Sequence, residues 1–398
     1  VDSWSRNEII RGMNKVRIGI VGMGNMGRFH AQDLRDGKVE GAELVAVAST
    51  SPEKLKEYGE EGLKVFGGGE EMIQSGEIDA IVIATPHYQH VSLGIQALEA
   101  GLHLMVEKPI AAHKADAERL IAKAREKEQL VFAAMFQLRV EPRYLKIKQL
   151  VESGELGQLM RVTWIMTDWF RSDAYYQSGG WRATWKGEGG GVLLNQCLHQ
   201  LDAMQWMVGM PSLVKSEVGI GKWHDIEVED DVSCYMEFPH GATGFFLTST
   251  GETPGSNRLE ISGTKGRLLL ENDRLVLTRN AVPSDEWCKT SKIGFKQPET
   301  TVEEIEIPGA EDPHSTLMTN FANAILKGES LIAPGEEGLG SVELANAMLF
   351  SGLLKEPLEL PMDGLAWEDK LNELISTSTH EKKVVEVSGD DFSSSFRR

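Results

Sequence analysis

The segment Lys15 to Arg28, KVRIGIVGMGNMGR, constrains this chain more than any other. Val16, Ile18, Ile20 and Val21 form an apolar run that reads as a buried strand. The glycines Gly22, Gly24 and Gly27 follow it, and MGRFHAQDL opens a helix directly behind them. A dinucleotide pyrophosphate needs that succession: the first glycine permits a tight turn, the second lets backbone N–H groups approach the phosphates, and the third brings helix and strand close. The positive end of the helix dipole then faces the anion. Gly22, Gly24, Asn25, Met26 and Gly27 are the first candidate cofactor-binding residues.

From Val16 to about Ala134 apolar runs alternate with helical patterns. Candidate strands are Glu43 to Ala48, Leu63 to Phe66, Ala80 to Ala84, Leu102 to Val106 and Leu130 to Ala134. Between them Val91, Ile95 and Leu98, and then Ala117, Leu120, Ile121 and Ala124, recur at helical spacing. Strand, helix, strand in series predicts parallel pairing with right-handed crossovers, a doubly wound Rossmann sheet over 13–134. Ligands of such sheets lie beyond the carboxyl ends of the strands, so the residues that follow each strand matter most.

After the second strand stand Ser49, Thr50 and, further on, Lys54, where an NAD enzyme commonly places an acid for the ribose 2′-OH. Hydroxyls and a lysine permit NADP and leave NAD open; a plain turn would look the same. After the fourth strand come Thr85, Pro86, His87, Tyr88, Gln89 and His90, and after the fifth Glu107, Lys108 and Pro109. Pro109 cannot continue a central ladder, which holds Lys108 at the mouth of the crevice. A surface salt bridge between Glu107 and Lys108 is the plainer alternative.

Beyond Ala134 the alternation stops. A helix follows Pro142 and ends at Gly154. Strands then run in series over Leu159–Thr167, Val214–Gly221, Val232–Phe238, Gly244–Thr250, Arg258–Ser262, Arg267–Glu271 and Arg274–Thr278, several joined by short turns. Helices return at Ser315–Lys327 and Ser341–Leu354. The fold class is thus α/β plus α+β: the Rossmann sheet, then an open-faced, predominantly antiparallel sheet over 135–379 with helices on one face. The uncovered face predicts a homodimer or homotetramer. Residues 1–12 read as an extension and 380–398 as a mobile tail or subunit arm.

In GGGVLLNQCLHQLDAMQWM, residues 189–207, a helix from Asn195 would set Asn195, His199, Asp202 and Trp206 on one polar face, with Cys197, Leu201, Met204 and Val208 opposite. A histidine there is also compatible with a structural role, and Asn195 with a helix cap. Trp164, Trp169, Phe170, Arg171, Tyr175, Tyr176, Trp181, Arg182 and Trp185 lie among polar residues rather than in an apolar period. Aromatic planes beside guanidinium groups suit a sugar ring, and packing between subunits is the alternative. His224, Asp225, Glu227, Glu229, Asp230 and Asp231 have the composition of a metal site, but they alternate with Ile226, Val228 and Val232 and read as a strand with a solvated face. No metal is expected.

The 398 residues allow two domains at ~100–200 residues each. A formal charge of −19 argues against a nucleic-acid surface, which needs clustered Lys and Arg. Cys197, Cys234 and Cys288 form no zinc or redox spacing and suit a reducing, cytoplasmic setting. No run approaches the ~18 apolar residues of a membrane span.

GMGNMG, then TPHYQH, then EKP, at these intervals, resembles the glucose-fructose oxidoreductase / inositol dehydrogenase / rhizopine-catabolism (Gfo/Idh/MocA) family of NAD(P)-dependent oxidoreductases, over Val16 to Asp369. The resemblance implies NAD or NADP as cofactor and Lys108 and His199 facing one another as catalytic residues. The family carries an acid where this chain has Asn195, and an amide cannot take a proton. His199, with an ordinary pKa of roughly 6.5, would then be the acid or base. Trp181 and Arg182 match a pair that reaches the nicotinamide end of the cofactor, and Gln137 and Arg139 match a strand-end segment near the active site. With Trp169, Tyr175, Tyr176 and Trp185 these give the candidate substrate residues. The expected activity is oxidation of a secondary ring alcohol of a sugar or glycoside, at C3 by the look of residues 175–199. Inositol oxidation, redox-neutral glycoside cleavage with retained NAD, and non-catalytic sensing are the alternatives.

Overall fold

The computed structural model describes residues 14–309 and 311–385. The expected extension over 1–12 and the tail over 386–398 lie outside the described residues.

Strands β1 (Val16–Val21), β2 (Ala42–Ala48), β3 (Lys64–Phe66), β4 (Ala80–Ile83), β5 (His103–Val106) and β6 (Phe132–Ala134) form one sheet in the order β3-β2-β1-β4-β5-β6. All its pairings are parallel. Helices α1 (Asn25–Arg35), α2 (Lys56–Glu60), α3 (Gly69–Gln74), α4 (Tyr88–Glu99) and α5 (Lys114–Arg125) make the crossovers. Both faces of the central strands are covered, so every residue of β4 and β5 is buried, which is why β4 reads as an unbroken apolar run and β5 departs from one only at His103.

The second domain opens with α6 (Pro142–Glu152), and Gly154 after it takes the positive φ that ends the helix. Next come β7 (Leu159–Met166), α7 (Asp173–Gln177), α8 (Leu198–Val208), β8 (Leu213–Ile220), β9 (Glu229–Glu237), β10 (Thr243–Ser249), β11 (Asn257–Gly263), β12 (Gly266–Glu271) and β13 (Arg274–Asn280). After β13 follow α9 (Ser284–Thr290), β14 (Thr300–Ile305), α10 (Pro313–Lys327), α11 (Gly338–Leu354), β15 (Leu358–Glu359) and α12 (Gly364–Thr377). The sheet order is β14-β13-β12-β11-β7-β10-β9-β8-β15. Only the β7–β10 pairing is parallel. At the β12–β13 turn Asn272 and Asp273 both take positive φ, the backbone a tight hairpin needs.

Helix α11 is buried almost throughout, because it packs on β8, α8 and α5 at once and so locks the two domains together. The strand β14, with α9 and α12, escapes the sequence pattern. Its residues Thr300–Glu304 are exposed at the sheet edge and carry no alternation to read.

Three expectations are corrected. Glu229 and Asp230 are fully buried rather than solvated. Glu229 accepts from the amides of Gly191 (2.8 Å) and Leu193 (3.1 Å), and Asp230 from those of Lys222, Trp223 and His224. Helix α8 begins at Leu198 rather than Asn195 and is buried on nearly all sides, so it has no solvated polar face. The first part of the expected mobile tail is ordered against α7: Val385 N donates to the Gln177 carbonyl and Lys382 to that of Tyr176.

Candidate active site

The turn after β1 makes different demands on its three glycines. At Gly22 (φ +93°) a Cβ would lie 2.6 Å from the backbone of Ala84, and at Gly27 one would lie 2.1 Å from the Gly22 carbonyl oxygen. Those two are required by the fold. A Cβ on Gly24 would meet nothing within 4 Å, so the fold leaves open space above it. No side chain caps α1, which leaves its first amides to an anion. Asn25 is exposed and Met26 half-buried beside it. At the next strand end Ser49 donates its amide to Phe66, Thr50 is exposed and Lys54 half-buried. The buried Thr85 hydroxyl at the end of β4 has no partner among the described residues. An uncapped helix, an open cradle and an orphaned hydroxyl on one rim fit a dinucleotide.

The histidines that follow Pro86 tie the loops together. His90 spans the carbonyls of Pro109 (2.7 Å) and Thr85 (2.8 Å), and His87 Nδ1 meets the Glu188 carbonyl at 2.9 Å. Burial lowers the pKa of both rings. Glu107 meets His30 Nε2 at 2.6 Å and accepts the Lys108 amide, so its carboxylate faces inward rather than pairing with the Lys108 side chain. Lys108 reaches across the domain boundary and donates from Nζ to the Asn195 carbonyl at 2.6 Å. Burial lowers the Lys108 pKa against the opposing charges of Glu107 and Glu188.

His199, at the start of α8, stands close enough to Lys108 to feel its charge. Its Nε2 lies 3.0 Å from the Gln137 amide nitrogen, and its Nδ1 has no partner among the described residues. Burial first, then Lys108, holds the imidazole well below its ordinary value. This corrects the expected pKa of roughly 6.5: the surroundings favour the neutral imidazole.

Glu188 is the residue that motif reasoning missed. Its carboxylate is 2% exposed, accepts the Ala183 amide at 2.6 Å and holds the Asn195 side-chain amide. An acid inside the glycine run 187–191 was the available signal. Around it the half-buried aromatics stack on guanidinium groups. Arg182 lies 4.7 Å from the ring centres of both Tyr175 and Trp181, and Arg171 lies 4.9 Å from Tyr175 and 5.2 Å from Trp169. The Tyr175 hydroxyl accepts from Arg182 and Gln196, and Trp181 meets the His87 ring edge-on.

The structure thus gathers Lys108, Asn195, His199, Gln137, His87, Trp181 and Arg182 into one connected cluster, with Trp169 and Tyr175 along the stack. It does not bring every candidate there. Arg139 is wholly buried, with Asp202 at 2.7 Å and Glu337 on its remaining nitrogen, which leaves it a framework role. Tyr176 bonds Thr250 in the core, and the Trp185 ring is buried while its carbonyl accepts the Tyr88 hydroxyl. Trp164 is a core residue of β7.

Residues 16–135 match the family described as "Oxidoreductase family, NAD-binding Rossmann fold", and residues 144–269 match the "GFO/IDH/MocA C-terminal domain". The chain belongs to the Gfo/Idh/MocA oxidoreductase family. Its relatives in this family include the myo-inositol 2-dehydrogenase of Thermotoga maritima, 27% identical over 65% of this chain and 76% of that protein. The inositol 2-dehydrogenase of Rhizobium meliloti is 25% identical over 87% of this chain and 99% of its own. Among solved structures, the WlbA dehydrogenase from Bordetella pertussis, in complex with NADH and UDP-GlcNAcA, has a TM-score of 0.74 at 26% identity, covering 88% of this chain and 100% of that one. As a Gfo/Idh/MocA oxidoreductase, the chain binds NAD through the Rossmann half just described. No helix among the described residues is long and apolar enough to cross a membrane.

Proposed function

We propose that this protein interconverts a secondary ring hydroxyl and a ketone on a cyclic polyol or sugar, with a nicotinamide as redox partner. The observation that carries the reading is the meeting of Lys108 and the His199 segment beyond the strand ends, fixed by the 2.6 Å bond from Lys108 Nζ to Asn195. The bound nicotinamide would supply the acceptor for the carbinol hydrogen, which leaves as hydride. The chain's residues handle the oxygen. Lys108 donates to the reacting oxygen, and His199, held neutral, takes the hydroxyl proton at Nε2 when the substrate displaces the Gln137 amide. In the reductive direction the same nitrogen returns it.

Two ring substrates have separate support. The relatives named inositol 2-dehydrogenase favour an inositol. The alternation of Trp169, Arg171, Tyr175, Arg182 and Trp181 favours a pyranoside, whose C–H face lies on aromatic planes while its hydroxyls reach guanidinium groups, with oxidation at C3 as the finer proposal. A panel of inositols, free sugars and methyl glycosides, followed by nicotinamide absorbance with NAD and with NADP, decides between them. Turnover on none of the panel, with cofactor bound, would overturn the reading. Aryl glycosides in the same panel report bond cleavage without net cofactor reduction.

A further inference from the structure

The reading of Lys108 as the donor to the reacting oxygen leaves open what directs that amine, and the inference here rests on that reading. Lys108 Nζ is held by a backbone carbonyl, that of Asn195, which carries no charge of its own. The other end of the same residue is fixed by an acid. Asn195 Nδ2 donates to Glu188, and the second Glu188 oxygen takes the amide of Ala183, a residue in the left-handed region at φ +55°. The Glu188 carbonyl is meanwhile fixed by His87. Two hydrogen bonds on the carboxylate and one on the backbone carbonyl fix Glu188 against the Asn195 side chain, and the backbone carbonyl of that same asparagine meets the lysine.

We propose that Glu188 is the positioning carboxylate of this site: through the Asn195 amide it aims the Asn195 carbonyl at Lys108, and its negative charge faces the Lys108 ammonium. The surroundings leave few other candidates for that charge. Facing Lys108 are Glu107 from its own strand end, Glu188 and Arg182 from the loop, and Cys197 and His199 at the head of α8. The rings of His87, His90 and His314 bear on it too. Burial lowers the pKa of all four histidines, His314 to about 4, and raises that of the Cys197 thiol to about 12, so none of these is charged near neutrality. Glu107 is shared with His30 and the Lys108 amide. Glu188 itself feels Arg182 and Lys382 from one side and Glu229 from another, and burial raises its pKa. Against that burial its charge is favoured first by Arg182, then by the Ala183 and Asn195 amides, and last by Lys108.

The test reads Lys108 directly and needs no turnover. The pH dependence of reductive methylation by formaldehyde, followed by mass spectrometry on the Lys108 peptide of the full chain, gives the midpoint at which the amine loses its proton. In E188Q that midpoint should fall by about one pH unit, as expected for removal of one nearby opposite charge, and labelling below the midpoint should speed up about tenfold. The exchanged pair E188Q/N195D keeps one acid and one amide on the same hydrogen bond and should return the midpoint to that of the unaltered chain. Where E188Q does not fold, E188D, which withdraws the charge by one methylene, should shift the midpoint the same way by less. A loop staple without electrostatic purpose would change stability and leave the midpoint in place. An unmoved midpoint in E188Q or E188D, or an exchanged pair that fails to restore it, overturns the proposal. Failure of the substrate panel leaves this labelling result untouched, so the two readings fall separately.

Discussion

The Lys108 amine donates to the Asn195 carbonyl at 2.6 Å, and this bond ties the end of the fifth Rossmann strand to the turn that introduces α8 in the other domain. The bond therefore fixes the two segments against each other. Burial lowers the Lys108 pKa while Glu107 and Glu188 oppose the shift, so a developing alkoxide would meet a donor already held in place.

Replacing that amine should separate binding from chemistry. Lys108→Met retains the side-chain volume and removes the donor, and kcat should drop by about 10²–10³-fold. NADH affinity, measured by fluorescence titration, should stay within about threefold, because the phosphate cradle at Gly24 is untouched. A sensor that binds without turnover would show no activity to lose.

His199 makes a prediction about pH. Burial and the Lys108 charge lower its pKa, so the base form persists below the ordinary value of about 6.5. The acid limb of kcat/KM should accordingly lie below pH ~6.5, and His199→Asn should lower the rate by about 10²–10⁴-fold and abolish that limb. A limb that sits above that value in the unaltered enzyme would mean the imidazole is not desolvated as the geometry requires.

Much of this was legible in the sequence, for physical reasons that differ by element. A strand such as β4 is apolar throughout because helices cover both its faces, and the glycine turn announces itself because Gly22 and Gly27 admit no Cβ. Lys108 and His199 were singled out through the family resemblance, because a salt bridge and a structural histidine explained each of them equally well from local pattern. Glu188 and Glu229 were not, since the burial of an acid depends on where folding brings its donors: Ala183 and Asn195 within the same loop for one, Gly191 and Leu193 from a distant segment for the other. Tyr176 and Trp185 were misplaced for the converse reason, as polar neighbours in sequence turn away and leave the rings in the core.

Gly24 separates the demands of cofactor from those of fold. Gly24→Val adds a side chain to space that contains no protein atom within 4 Å of the Cβ position. Thermal stability should change by less than about 1 kcal/mol, as for a surface site, while NAD affinity falls at least about tenfold. Gly27→Ala should do the opposite and unfold the turn, because its Cβ would lie 2.1 Å from the Gly22 oxygen. Circular dichroism melts beside cofactor titrations read both.

Glu229 predicts how stability itself varies with pH. Burial raises its pKa to about 7, against the two amides from Gly191 and Leu193 that favour the charged form. The unfolded chain has the ordinary carboxyl pKa, near 4.3. Between those values the folded state binds the extra proton, so the contribution is fully present below the unfolded pKa and is lost as pH rises through about 7. Glu229→Gln removes the titration and keeps the shape. The stability of the unaltered chain relative to E229Q, from urea denaturation, should fall by on the order of 2 kcal/mol between pH 5 and 8. A difference that stays constant over that range would show that the carboxylate remains ionised throughout, with the Gly191 and Leu193 amides outweighing the burial.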